Sequence, residues 1–145
     1  MRENGTIFVP TLSVLVQFLA AADLAPILAQ TKAVFDAGVK MACGGDTGAF
    51  AHGDNVKEIE LFLEAGIPLK DTLAAATIGG WEPCGGEWCG RGFGWVGEGW
   101  AADLVGVDVD VEGFVRDRGL RGKTVGFVMK DGRVWKRGGV GVGMI

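Results

Sequence analysis

Apolar residues along this chain follow two rhythms, and the switch between them falls near Gly79-Gly80. In residues 1–78, short apolar runs alternate with stretches whose apolar positions recur every three or four residues. "TIFVP" (6–10) is β-branched and aromatic and ends at proline, which predicts a buried strand. A helix-compatible stretch follows to Ala22. Leu24, Ile27, Leu28, Val34 and Phe35 then return at helical spacing. Asp23 is the expected N-cap, Pro26 sits in the tolerated first turn, and Gly38 falls where a C-terminal cap belongs. "VKMAC" (39–43) predicts a second strand. Asn55 with Glu58 three residues on makes a capping-box pattern. Val56, Ile59, Phe62 and Leu63 form the apolar face of that helix, Lys57, Glu60 and Glu64 its wet face, and Gly66 its stop. "IPLKDTLAAATIGG" predicts a further helix from near Pro68 to the glycine pair. Strand, helix, strand, helix, helix is the order of a parallel α/β sheet.

Past Gly79 the pattern becomes that of strands. "AADLVGVDV" (101–109) predicts one, and "TVGFVMKDGRVWK" (124–136) predicts a hairpin turning on Asp131-Gly132. Residues 79–100 read as a connector rich in glycine and tryptophan, 101–137 as a β unit, and 138–145 as a disordered tail. Composition sharpens the same boundary: 7 of the 26 glycines precede it and 19 follow, together with all five tryptophans. The net charge of −4 belongs entirely to residues 1–78, and the remainder balances at 9 basic and 9 acidic groups. With no basic stripe to neutralise phosphates, nucleic acid is a poor candidate partner.

Other signals fail on their chemistry. The N-terminal segment superficially resembles a secretory signal, but Glu3 cancels Arg2 and Gly5, Pro10, Thr11, Ser13 and Gln17 interrupt its apolar run. It is too short and broken to span a membrane, so it reads as part of the fold, with the cytoplasm the favoured compartment. Cys43, Cys84 and Cys89 are too few for a disulfide framework. With one histidine in the chain they cannot build a closed zinc knuckle, and they read as reduced thiols. "GFGWVG" (92–97) satisfies the spacing of a dinucleotide fingerprint but is not set between a strand and a helix, so it reads as a turn.

The stretch "CGGDTGAFAHGDN" (43–55) carries the chemistry. A strand followed by Gly44-Gly45-Asp46 presents a carboxylate beyond the strand's carboxyl end, where (β/α)8 barrels hold catalytic groups. The glycines let a ligand approach the backbone closely. An aspartate that only shapes a turn is the plainer alternative.

Four segments, in order, resemble the C-terminal part of the metal-dependent amidohydrolase superfamily, in particular its imidazolonepropionase-like members. "GTIFVPTLSV" (5–14) is similar to the seventh barrel strand, and residues 37–78 to the eighth strand, its Asp loop and the following helices. "GWVGEGWAADLVGVD" (94–108) is similar to the signature leading back into the small β-domain, and "VGFVMKDGRVW" (125–135) to its closing hairpin. The resemblance implies the last βα units of a TIM-type barrel plus C-terminal strands of a small β-sandwich domain, hence an incomplete barrel. It implies that Asp46 touches a divalent metal, zinc first, and takes a proton from metal-bound water during hydrolysis of an amide or cyclic-amide C–N bond of a small-molecule substrate. It implies that His52 and Asn55 lie at the substrate rim.

The family's other ligands are absent from this chain: no H-x-H is possible with one histidine, and residues 79–93 replace a helix and turn of the family. A catalytic zinc needs about three protein ligands. The expectation is therefore a fragment that does not retain metal and is inactive alone, and that forms an oligomer or is completed by a partner chain. The rival expectation is a non-catalytic binding module using the tryptophan-rich half.

Overall fold

A computed structural model describes residues 1–109 and 125–143. Its first half is built on two short parallel strands, β1 (Ile7–Phe8) and β2 (Lys40–Met41), with Ile7 opposite Lys40 and Phe8 opposite Met41. Between them run α1 (Leu12–Phe18) and α2 (Ala21–Asp36), and after them α3 (Val56–Glu64) and α4 (Leu69–Ala76). The helices close over Leu12, Leu28, Leu61, Phe62, Ile67 and Ala75, with Leu24, Ile27, Phe35 and Met41 packed around them. Of the apolar positions predicted at helical spacing, Leu24, Ile27, Leu28, Phe35 and Phe62 meet in this core; Val34, Val56, Ile59 and Leu63 stay half-buried outside it, and Leu61, not assigned to the apolar face, is buried in their place.

Two helix ends form as their glycines predict. At the end of α2, Gly38 takes φ 71°, its N–H donates to Phe35 O (2.8 Å), and the Val39 N–H donates to Val34 O (3.4 Å). At the end of α3, Gly66 takes φ 88°, with Gly66 N–H on Leu63 O (3.0 Å) and Ile67 N–H on Phe62 O (3.1 Å). Both are Schellman motifs, each closed by a buried apolar residue, Val39 or Ile67.

Helix starts depart from expectation. α2 begins at Ala21, and the Asp23 N–H donates to Ala20 O (2.9 Å), so Asp23 lies inside the first turn and is not the cap. The capping box at α3 does not form. Asn55 caps by position only, and Glu58 turns inward instead.

In the second half β3 (Leu104–Val107), β4 (Val125–Lys130), β5 (Arg133–Arg137) and β6 (Val140–Gly141) make an antiparallel sheet in chain order. The predicted hairpin turns on Asp131 (φ 51°) and Gly132 (φ 75°), the two positive angles a type I′ turn requires. β6 lies where the sequence predicts a disordered tail. Gly138 (φ 56°) and Gly139 (φ 79°) make a second turn of the same kind, which brings Val140 opposite Arg137 and Gly141 opposite Lys136.

The connector holds short 3₁₀ turns at Ile78–Gly80 and Gly86–Cys89. Trp81 meets Trp100 edge to face, ring centroids 5.1 Å apart, and its indole N–H donates to Arg91 O at 3.2 Å. Arg91 pairs with Asp103 (3.1 Å) and with Asp131, and Lys130 pairs with Asp103 (2.5 Å). The glycines of "GFGWVG" serve packing: a Cβ at Gly92 would lie 2.6 Å from the Trp100 ring, and one at Gly94 2.5 Å from the Thr77 backbone. Among the described residues no helix is long and apolar enough to cross a membrane.

Candidate functional site

The loop that carries Asp46 is shaped by what it must pass. Leaving β2, the Ala42 N–H donates to Phe8 O (3.1 Å) and the Cys43 N–H to Ala75 O (2.9 Å), which aims the chain along the end of β1. A Cβ at Gly44 would come 2.7 Å from Val9 Cγ1, closer than real side chains approach. A Cβ at Gly45 would lie 3.3 Å from Phe50 Cζ and 3.5 Å from Ser13 Oγ. Asp46 then takes a left-handed φ of 52°, which aspartate tolerates better than most residues, and its carboxylate is exposed. The sequence-predicted carboxylate thus stands just beyond a parallel strand pair, on a loop where Gly44 leaves no room for a side chain.

Behind that loop lies a buried carboxylate. Glu58, on α3, is 1% exposed and accepts hydrogen bonds from Leu12 N–H (2.9 Å), Ser13 N–H (2.7 Å) and the Ser13 hydroxyl (2.7 Å). The cause is local: α1 has no acidic residue in its first turn, and Thr11, at φ 52°, makes no side-chain cap. Its N–H groups therefore need an acceptor from elsewhere, and a carboxylate at a helix N-terminus also meets a favourable dipole. Glu58 fixes the Ser13 hydroxyl, whose oxygen would lie 3.5 Å from a Cβ placed on Gly45. α3 thereby braces α1, and Ser13 of α1 lies beside the Asp46 loop. Sequence reading missed Glu58 and Ser13 as supports of the site; the uncapped start of α1 was the signal.

Cys43 lies in the same layer. Burial, and then the nearby charge of Glu58, push its thiol up to about 12. At neutral pH it is a packing group and not a thiolate ligand.

His52 is exposed, on a turn in which the Asp54 N–H donates to Ala51 O (3.3 Å). Asn55 Oδ1 accepts the Thr47 hydroxyl at 2.5 Å and so ties the two ends of the loop. Beside the loop a cavity of about 190 Å³ is lined by Gln17, Phe50, Gly53, Asp54, Val56, Lys57 and Glu60. Among the described residues no three or more His, Cys, Asp or Glu side chains gather as a metal would require. The donor set among those residues does not fit a complete metal centre.

No protein-family model matches the chain, and no curated protein matches its sequence. Solved structures do. A Xaa-Pro dipeptidase with methionine bound in its active site superposes at TM-score 0.73 and 29% identity, over 92% of this chain and 35% of that one. An amidohydrolase follows at TM-score 0.65 and 25% identity, over 93% and 35%. The likeness is to the amidohydrolase family. This chain spans about a third of the length of these amidohydrolase-family structures. An adenosine deaminase from Xanthomonas campestris with bound zinc shares the fold at TM-score 0.52 and 22% identity, over 79% and 30%.

Proposed function

We propose that this chain contributes one catalytic carboxylate, Asp46, to metal-assisted hydrolysis of an amide-type C–N bond, in a site whose other ligands lie outside these residues. The observation that carries this reading is the delivery of Asp46 beyond a parallel strand pair, on a glycine loop that passes beside Ser13, itself fixed by buried Glu58. In this reading residues 1–78 are the last βα units of a (β/α)8 barrel, and the antiparallel sheet is the C-terminal part of a small β-domain. Asp46 is the metal-contacting group and proton acceptor, and His52 and Asn55 sit at the substrate rim. A catalytic zinc draws on about three protein ligands, so one carboxylate leaves the chain inactive until a longer polypeptide or a partner supplies the rest.

The test is a chimera in which this chain replaces the corresponding third of a Xaa-Pro dipeptidase, assayed on a Xaa-Pro dipeptide. Activity is expected, and Asp46→Asn should cut it by about 10²–10⁴-fold, the usual contribution of a positioned base. A folded, active chimera indifferent to that change would end the proposal. A second reading, a non-catalytic interaction surface, rests on Trp88 and Trp95, which expose 97% and 59% of their surface. It predicts a partner whose binding is lost in their alanine variants.

A further inference from the structure

Between Trp81 and Arg91 the chain winds back on itself in a run of tight turns. Gly85 N–H donates to Glu82 O (3.0 Å), Gly86 N–H to Trp81 O (2.9 Å), and Trp88 N–H to Gly85 O (3.0 Å). Gly85 and Gly86 take φ of 111° and 55°, angles that suit glycine. The result is that the Cys89 thiol donates to the carbonyl oxygen of Cys84 at 2.6 Å. A carbonyl oxygen lies about 2.4 Å from its own Cα, which puts the Cys89 sulfur within about 5 Å of the Cys84 Cα. The two cysteines therefore share one turn, close enough that side-chain rotation with a small shift of the backbone can bring them to the roughly 4.4–6.8 Å Cα separation of a disulfide. A Cβ at Gly85 would press on the Cys89 sulfur at 3.2 Å, so the bare glycine leaves the approach open. Cys84 is exposed and Cys89 half-buried, both as free thiols. The third cysteine, Cys43, belongs to the interior of the helical half.

We propose that Cys84 and Cys89 form a reversible dithiol–disulfide site, closed by exchange with a small disulfide of the oxidised-glutathione class. The exposed Cys84 thiolate attacks one sulfur of the small disulfide, whose S–S bond breaks and releases one small thiol. The Cys89 thiolate then attacks the Cys84 sulfur and expels the second. The two cysteines give up two electrons and two protons, and the small disulfide becomes two thiols. Closure staples the connector between Trp81, which packs on Trp100, and Arg91, which pairs with Asp103 and Asp131 of the sheet half. Nothing in this site depends on Asp46.

The test uses the whole chain, reduced, then incubated with oxidised glutathione, quenched by alkylation and digested with trypsin. One tryptic peptide, residues 71–91, carries both cysteines. It should become lighter by two hydrogens, carry neither glutathione nor alkyl group, and revert with reduced glutathione. Closure should be about tenfold faster in the folded chain than in urea, as preorganised groups react faster. Cys84→Ser and Cys89→Ser should each leave a lasting glutathione adduct on the remaining thiol. Glutathione adducts on the wild-type peptide without closure, links between chains, or closure no faster when folded would each overturn the proposal.

Discussion

All the large side chains that are fully buried among the described residues lie between Leu12 and Thr72, whereas the described residues of the sheet half include only two buried ones, Gly86 and Gly126. The helical half excludes water from Phe62, Leu12 and Leu61 and satisfies its one buried carboxylate in full. The sheet half leaves Trp88, Trp95, Val96, Val105 and Val140 exposed. It is ordered by backbone pairing, by two glycine-containing turns, and by the ion pairs among Arg91, Asp103, Lys130 and Asp131. Exposed ion pairs contribute little each, about 0–1 kcal/mol. Among the described residues, apolar burial therefore stabilises the part that carries Asp46, and local turn chemistry shapes the part that does not.

The sharpest way to break this contrast is Phe62→Ala. At a fully buried site it should destabilise the helical half by about 3–5 kcal/mol, read from urea unfolding, and leave the β4–β5 hairpin signals in NMR spectra in place. Loss of both halves together at equal cost would mean that they share one core. Glu58→Ala comes next. It strands the α1 donors and should cost about 1–3 kcal/mol, with faster amide exchange at residues 44–50 because Ser13, beside Gly45, is no longer fixed. Unchanged exchange in that loop would remove the brace from the account.

How much of this could be read in the sequence follows the range of the interaction. The stops at Gly38 and Gly66 and the turn at Asp131-Gly132 depend on neighbours a few residues away, and all three form as written. Glu58 also has a local reading as a capping-box partner, but its acceptor oxygens serve Leu12 and Ser13, 46 and 45 positions earlier. A remote helix N-terminus outcompeted the local one, and no periodicity encodes that. The second type I′ turn, Gly138-Gly139, was present in the sequence but masked by the glycine-rich composition around it. The position of Asp46 beyond a strand was legible. The reason Gly44 precedes it, close passage over Val9, was not.

A smaller effect separates the halves by pH. Asp103 is held below its ordinary value of 3.8, chiefly by the hydrogen bond from Lys130 and then by the Asp131 N–H. A depressed carboxylate gives stability that is present above the ordinary value and lost as pH falls through the lowered one. Acid should therefore loosen the sheet half first, and Asp103→Asn should flatten that response. Cys43 runs the opposite way: raised from 9.0 to about 12, it gives stability that is complete below pH 9 and lost as pH rises toward 12. Alkali should loosen the helical half, and Cys43→Ala should suppress the effect. Simultaneous melting of both halves at either extreme, followed by circular dichroism and hairpin NMR signals, would contradict the assignment.

On the proposed reading, Asp46 is a single member of a metal site whose other ligands lie outside these residues. Zinc content after dialysis measures it most directly, on the full chain with Cys84→Ser and Cys89→Ser so that those thiols hold none. The account predicts no zinc retained in proportion to protein, with or without Asp46→Ala. One zinc per chain, lost in Asp46→Ala, would contradict it.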